Sequence, residues 1–178
     1  MTRLIQYTVF LLAIISPSLF AQQSSTQSLS YVIDEVPNAK VVGKGMFTYY
    51  FWDVYEATLF APNGKWQATP PFALQLRYQR ALKGRKIAQR SVDEIRKQGI
   101  EDPERLAVWM EKMSKIFPDV DDGDTLTGIA TKEKISVFYF NGEQVGKIDD
   151  TAFTTHFFNI WLGENTSEPD FRKTLLNH

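Results

Sequence analysis

Four carboxylates crowd into residues 119–124: Asp119, Asp121, Asp122 and Asp124. Oxygen ligands at alternate positions suggest a calcium loop. An EF-hand would need an acid or amide at the fifth position and a Glu at the twelfth. Those positions hold Gly123 and Ala130, so the segment reads as a solvated turn. His156 stands between Thr155 and Phe157, and the second histidine is the last residue, His178. One credible imidazole base therefore exists, and a lone histidine among aromatic residues more often packs than moves protons. No serine lies in a G-x-S-x-G turn, and neither a phosphate loop nor a dinucleotide glycine pattern is present. The chain has no cysteine, which excludes thiolate nucleophiles, Cys-based zinc sites and disulfides. Asn165-Thr166-Ser167 has the form of a glycosylation acceptor but reads better as a helix start. No metal and no cofactor is expected.

Two signals remain. Asp53 sits within the apolar run Phe51-Trp52-Asp53-Val54-Tyr55. If buried there, its carboxylate must be paired or protonated. Arg77 and Arg80 are candidate partners, and a pocket acid with a raised pKa is the functional alternative. The second signal is aromatic content, with 13 Phe, 7 Tyr and 4 Trp. Most of these must be core. Some could line an apolar cleft of the kind that holds small molecules.

The elements that would position these groups follow from periodicity. Residues 41–61 are β-branched and aromatic on both alternating sets, the mark of a strand covered on both faces. Gly43 and Gly45 suggest a bend or bulge near its start. Pro62-Asn63-Gly64 ends it. Phe72, Leu74, Leu76 and Tyr78 alternate with Ala73, Gln75, Arg77 and Gln79, a clean period-two strand. Residues 84–98 carry Ile87, Ala88, Val92 and Ile95 on one helical stripe, closed by Gly99. Asp102 and Pro103 are an N-cap and first helical residue, and Leu106, Trp109 or Met110, Met113 and Phe117 share the face that follows. Strands near residues 125–130 and 135–140 come next. Asn141-Gly142 is a strong hairpin signal returning residues 144–148. Asp149 or Asp150 caps a helix to about Leu162 bearing Phe153, Phe157, Ile160 and Trp161. Ser167 is expected to cap a short last helix. Strands joined by hairpins, with helices in separate blocks, indicate an α+β arrangement with an antiparallel sheet.

The 178 residues, 43% hydrophobic and 23% charged, suit one globular domain. A net charge of −1 supplies no overall field to recruit nucleic acid or anionic lipid. Residues 1–21 read as a secretory signal. Arg3 is followed by an apolar stretch, then Ser16-Pro17-Ser18 and a small residue, Ala21, before Gln22. The apolar run is short for a bilayer span, which needs about 20 residues, so no stable membrane insertion is expected once the signal is removed. An exported chain without cysteine fits a periplasm. Residues 22–36 are expected to be a mobile lead-in and a first strand, and residues 37–178 the domain itself.

Several strings, in order, carry a resemblance. Gly43-Lys44-Gly45 leads into Val54-Tyr55-Glu56-Ala57-Thr58-Leu59-Phe60. Phe117-Pro118-Asp119-Val120 and Gly123-Asp124 follow. Then Phe140-Asn141-Gly142-Glu143 and Gly146-Lys147-Ile148 precede Phe157-Phe158-Asn159-Ile160-Trp161-Leu162-Gly163. Together they resemble the bacterial exported chalcone isomerase-like proteins. The resemblance implies an open-faced β-sandwich, an antiparallel sheet carrying a layer of helices. It also implies a choice of roles, since the family includes isomerases that close a flavanone ring and non-enzymatic members that bind fatty acids. In both kinds an arginine on the early strand pair grips an anionic group, as a guanidinium fork suits. This chain has no arginine between Arg3 and Arg77, and its early strands offer Lys40 and Lys44. Tyr55 approximates the position of the family's active-site hydroxyl, while the late hydroxyl is replaced near Ile160.

The expectation is a periplasmic, non-catalytic protein that binds a small apolar or amphipathic ligand, such as a fatty acid, between sheet and helices. Tyr55, Trp109, Met113, Phe157 and Trp161 would line the cleft, with Lys44 or Arg77 meeting an anionic end. One alternative is an isomerase acting on a phenolic or enone substrate, with Tyr55 as its catalytic candidate. The other is a structural or partner-binding envelope protein without a pocket.

Overall fold

The computed structural model describes residues 29–178. The expected signal and most of the lead-in lie outside the described residues. The order of elements is α1 (Ser30–Glu35), β1 (Ala39–Tyr49), β2 (Trp52–Pro62), β3 (Phe72–Tyr78), α2 (Gly84–Lys97), α3 (Pro103–Ile116), β4 (Thr125–Ala130), β5 (Ser136–Phe140), β6 (Glu143–Ile148), α4 (Thr151–Leu162) and α5 (Pro169–Leu176). The six strands form one antiparallel sheet in sequence order. This is the α+β fold the sequence implied, with two departures near its start.

The first departure is α1. Where a strand was expected, Ser30–Glu35 forms a short helix. It lies against the face of the sheet turned away from the other helices. There Tyr31, Val32 and Val36 bury Phe60, Ala73, Ile129, Val137 and Tyr139. The second departure is that residues 41–61 are two strands. The chain reverses at Tyr50 and Phe51, and Tyr50 takes φ 55. No Gly, Pro or Asn marks that turn, so nothing in local composition announced it.

The opposite face carries the main core. Ala57 and Leu59 of β2, Phe72, Leu74, Leu76 and Tyr78 of β3, Leu126 of β4 and Phe138 of β5 point to α2, α3, α4 and α5. The apolar stripes of those helices meet them through Ala88, Val92 and Ile95, then Leu106, Trp109 and Met113, then Phe153, Phe157, Phe158 and Trp161, then Leu175 and Leu176. Full burial of each large side chain stabilises the fold by roughly 1.5–3 kcal/mol relative to exposure.

The expected caps largely hold. Asp102 Oδ1 accepts from Arg105 N at 3.0 Å, with Pro103 opening α3. Asp150 Oδ1 accepts from Phe153 N at 3.0 Å and opens α4. Its other oxygen accepts from the indole N–H of the buried Trp109 at 2.9 Å, which ties α3 to α4. Asn141 and Gly142 turn β5 into β6 at φ 50 and 88, as a type I′ hairpin requires. The glycines of β1 do more than bend it. The register shifts between Val41 and Gly43. A Cβ on Gly43 would collide with the backbone carbonyl of Leu175, and one on Gly45 would meet the Thr174 methyl and the Phe171 ring. Both glycines let α5 lie directly on the strand.

Candidate functional site

A cavity of about 350 Å3 lies between one end of the sheet and α2, α4 and α5, within the size range of small-molecule sites. Its floor is apolar. Tyr55 of β2, Leu76 and Tyr78 of β3 and Leu126 of β4 come from the sheet, while Phe157, Ile160 and Trp161 of α4 and Phe171 of α5 face them, with Phe117 at the end of α3. The rings are locked by one another. Tyr55 stacks on Phe47 at 5.1 Å and meets Tyr78 edge-on at 5.9 Å. Phe157 packs against Phe117, Phe138, Phe153 and Trp161.

Few polar atoms interrupt this lining, and most are engaged. The Trp161 indole N–H donates to the Tyr55 hydroxyl oxygen at 3.0 Å. That leaves the phenol's own proton free to be donated. Burial pushes the Tyr55 pKa up, more than the Trp161 bond pulls it down. Burial raises Tyr78 likewise, with the neighbouring Tyr55 adding to the effect. Both phenols therefore stay protonated donors. Ser91 Oγ donates back along its helix to the Ile87 carbonyl at 2.9 Å. Ser167, expected as a helix cap, instead donates to Glu94 Oε2 at 2.6 Å, and the N-cap position of α5 is Glu168. Glu94 is buried, which alone would raise its pKa. The hydrogen bonds from Ser167 and Lys97 and the charges of Arg90 and Lys97 outweigh that and hold the carboxyl below its ordinary value. Arg90 reaches it at 2.7 Å.

The charged lining has three cations and two acids, Glu94 and the exposed Glu168. Arg80, Lys86 and Arg90 line the mouth together with Tyr49 and Trp52. The Arg80 guanidinium lies 5.0 Å from the centre of the Trp52 ring, and that of Arg90 lies 5.8 Å from Tyr49. These are cation–π distances.

Of the residues the sequence nominated, Tyr55, Phe157 and Trp161 line this cavity. Trp109 and Met113 do not. Both are fully buried between helices and sheet, where they support α4 from behind. Lys44 and Arg77 are on the wrong face, for a reason of strand parity. Tyr55 points into the helical layer, so its neighbour Glu56 points away. Arg77 is the cross-strand partner of Glu56, and Lys44 Nζ pairs with Glu56 at 2.8 Å. The cavity's cations come from α2 and the loop before it. Their signal was present on α2, where Lys86 and Arg90 are four apart beside Ile87, Ser91 and Glu94. Reading the apolar stripe alone passes over it.

The remaining candidates resolve as structure. Asp53 is exposed, and its carboxylate accepts from the Thr48 hydroxyl at 2.7 Å across the β1–β2 hairpin. His156 lies outside the cavity, half-buried beside Trp109 and Gln98, and burial followed by the Arg105 charge lowers its pKa. The acidic loop is a set of turns. Asp119 accepts from Lys83 at 2.7 Å and from Gly84 N at 3.0 Å, and Asp124 accepts from Asp121 N and Asn141. Among the described residues no group of His, Asp and Glu side chains could hold a metal ion.

The model of the chalcone isomerase-like family matches residues 34–177. The chain belongs to the chalcone isomerase-like family. Among solved structures, a fatty-acid binding protein of Arabidopsis thaliana has a similar fold. It aligns with a TM-score of 0.60 at 12% identity, covering 79% of this chain and 88% of that one. At that identity the likeness is one of fold. No curated protein matches the chain. The early-strand arginine that the sequence resemblance implied has no counterpart in β1 or β2, neither of which contains one. This chalcone isomerase-like chain brings guanidinium groups to its cavity from outside the early strand pair.

Proposed function

We propose that this is an exported, non-catalytic binding protein for a single-chain amphipathic anion, a long-chain fatty acid or its chemical equivalent. The observation that carries the reading is the pairing of an apolar, ring-lined cavity with a rim of Arg80, Lys86 and Arg90. The hydrocarbon body would lie against Leu76, Phe117, Leu126, Phe157 and Ile160, and the carboxylate would meet the rim. Among the described residues, Arg80 and Lys86 form no ion pair within the protein, so both cations are available to a ligand. A fatty-acid binding protein with the same fold adds support. So does the state of the cavity's hydroxyls. Burial opposes ionisation of Tyr55 and Tyr78, and the two serines already donate elsewhere. Only Ser167 meets a carboxylate, Glu94, and the Arg90 and Lys97 charges that lower the Glu94 pKa make it a weaker base.

The test compares a saturated long-chain fatty acid with the alcohol of equal length, each displacing a fluorescent lipid probe. Ile87→Trp, which puts a large ring into the cavity from a half-exposed position, should abolish binding of both. Arg80→Gln with Lys86→Gln should weaken the acid about tenfold or more while leaving the alcohol nearly unchanged, because a charge-assisted hydrogen bond contributes about 1.5–3 kcal/mol. Equal affinity of the wild type for acid and alcohol would remove the anion from the proposal. Failure of both to bind would remove the ligand class.

A further inference from the structure

The β1–β2 turn projects four consecutive aromatic side chains beside the cavity mouth. Tyr49, Tyr50, Phe51 and Trp52 are 49%, 78%, 94% and 62% exposed. Tyr49 and Trp52 line the cavity beside Arg90 and Arg80, whereas Tyr50 and Phe51 line no part of it. Tyr50 holds φ 55, a left-handed conformation that is uncommon for a bulky aromatic and that Gly or Asn adopts readily. The β5–β6 hairpin makes its turn with Asn141 and Gly142. Retaining an aromatic in such a backbone, exposed, points to a role outside the fold.

Charge supplies a second, independent observation. Eight Lys and Arg lie in residues 77–97 against two acids, Asp93 and Glu94, a formal +6 in a chain whose total is −1; Arg80, Lys86 and Arg90 of them line the cavity, while Arg77 lies on the opposite face. It contributes the guanidinium that stacks on Trp52 and the one near Tyr49. Rings that are apolar in body and polar at one edge, interleaved with Arg, suit the headgroup region of a bilayer. The positive sign selects anionic lipid. A second copy of the chain presenting the same face would bring two such positive segments together and is disfavoured on that ground.

We infer that the β1–β2 tip and its basic rim dock on the surface of an anionic lipid bilayer. Tyr50, Phe51 and Trp52 enter the headgroup layer, Arg80 and Arg90 meet lipid phosphates, and the cavity mouth faces the membrane. This is peripheral docking: among the described residues no helix is long and apolar enough to cross a membrane. The inference goes beyond the binding reading and does not depend on the cavity's ligand.

Flotation with two vesicle compositions tests it, phosphatidylcholine alone and phosphatidylcholine with phosphatidylglycerol at roughly 3:1. The full chain should bind the anionic vesicles at least about tenfold more tightly and lose that binding as salt rises. The double variant Tyr50→Ser, Phe51→Ser should lose about tenfold or more of vesicle binding. Neither residue lines the cavity, so displacement of the lipid probe in the absence of vesicles should be unchanged. That assay separates failure of docking from failure of the cavity reading. Equal binding to both vesicle types, vesicle binding indifferent to the double variant, or absence of vesicle binding would each overturn the inference, and a dimer that the double variant abolishes would assign the tip to a second copy instead.

Discussion

Glu94 shows how one residue can be both structural support and cavity wall. It is a buried acid on α2 that receives Ser167 from the loop before α5, Lys97 one helical turn along its own helix, and Arg90 from the turn before. Burial alone would favour the neutral form. The partners win, and the folded pKa lies below the ordinary 4.5. The sign of the linkage follows. The stabilisation is fully present above about pH 4.5 and is lost as the pH falls through the lower folded value. Glu94→Gln should therefore be less stable than wild type at neutral pH, by roughly 1–3 kcal/mol. The gap should close on acidification below about pH 4.5. Urea titrations over a pH series measure it, and a gap that persists undiminished to about pH 3 would show that the carboxylate's charge contributes nothing. At this scale the sequence was only partly legible. Tyr55, Phe157 and Trp161 could be nominated because strand and helix periods place them on the covered face. Lys44 and Arg77 were misplaced because strand parity relative to Tyr55 matters more than nearness in sequence. Glu94 could not be singled out, since an acid amid α2's many cations resembles any solvated helix face until α5 is known to close over it.

At the scale of elements, β3, α2, α3, α4 and the β5–β6 hairpin were readable because each combines a clear period with a cap or turn residue, while α5 was placed but its cap was not, since Ser167 turns to Glu94 instead. The β1–β2 turn and α1 were not. Tyr50 and Phe51 offer the turn no chemistry that local rules recognise, and α1 is six residues held by contact with the sheet's outer face. The Gly43-Lys44-Gly45 string was legible as a bend, but its larger consequence depends on an element more than a hundred residues later in the chain. With α5 resting on the glycines, Phe171 is carried into the cavity wall. Gly43→Ala should push α5 from β1 and destabilise the protein by about 1–3 kcal/mol, the usual cost of overpacking. Chemical denaturation checks it. A variant as stable as wild type would mean that β1 shifts to absorb the methyl group, and that the two elements are coupled less tightly than their backbone approach indicates.

For the whole molecule, a net charge near zero concealed an arrangement in which residues 77–97 are strongly basic and the remainder acidic. Composition alone therefore argued against any attraction to anionic lipid, whereas the fold brings three cations of that stretch, Arg80, Lys86 and Arg90, to one opening. The same scale bears on export. The first described element begins at Ser30, and the family match begins at residue 34, so cleavage after Ala21 would remove no residue of any element described. A fold with no cysteine also needs no oxidation to form, so it can be completed after translocation without a disulfide catalyst. Expressed from its full sequence in a Gram-negative host, the protein should be recovered from the periplasmic fraction with Gln22 as its first residue. Intact-mass measurement and N-terminal sequencing of that fraction read both properties at once. A protein that stays with the cytoplasm and keeps Met1 would show that residues 1–21 are not an export signal. The cavity and its basic rim would then serve a ligand on the cytoplasmic side, with the binding chemistry unchanged.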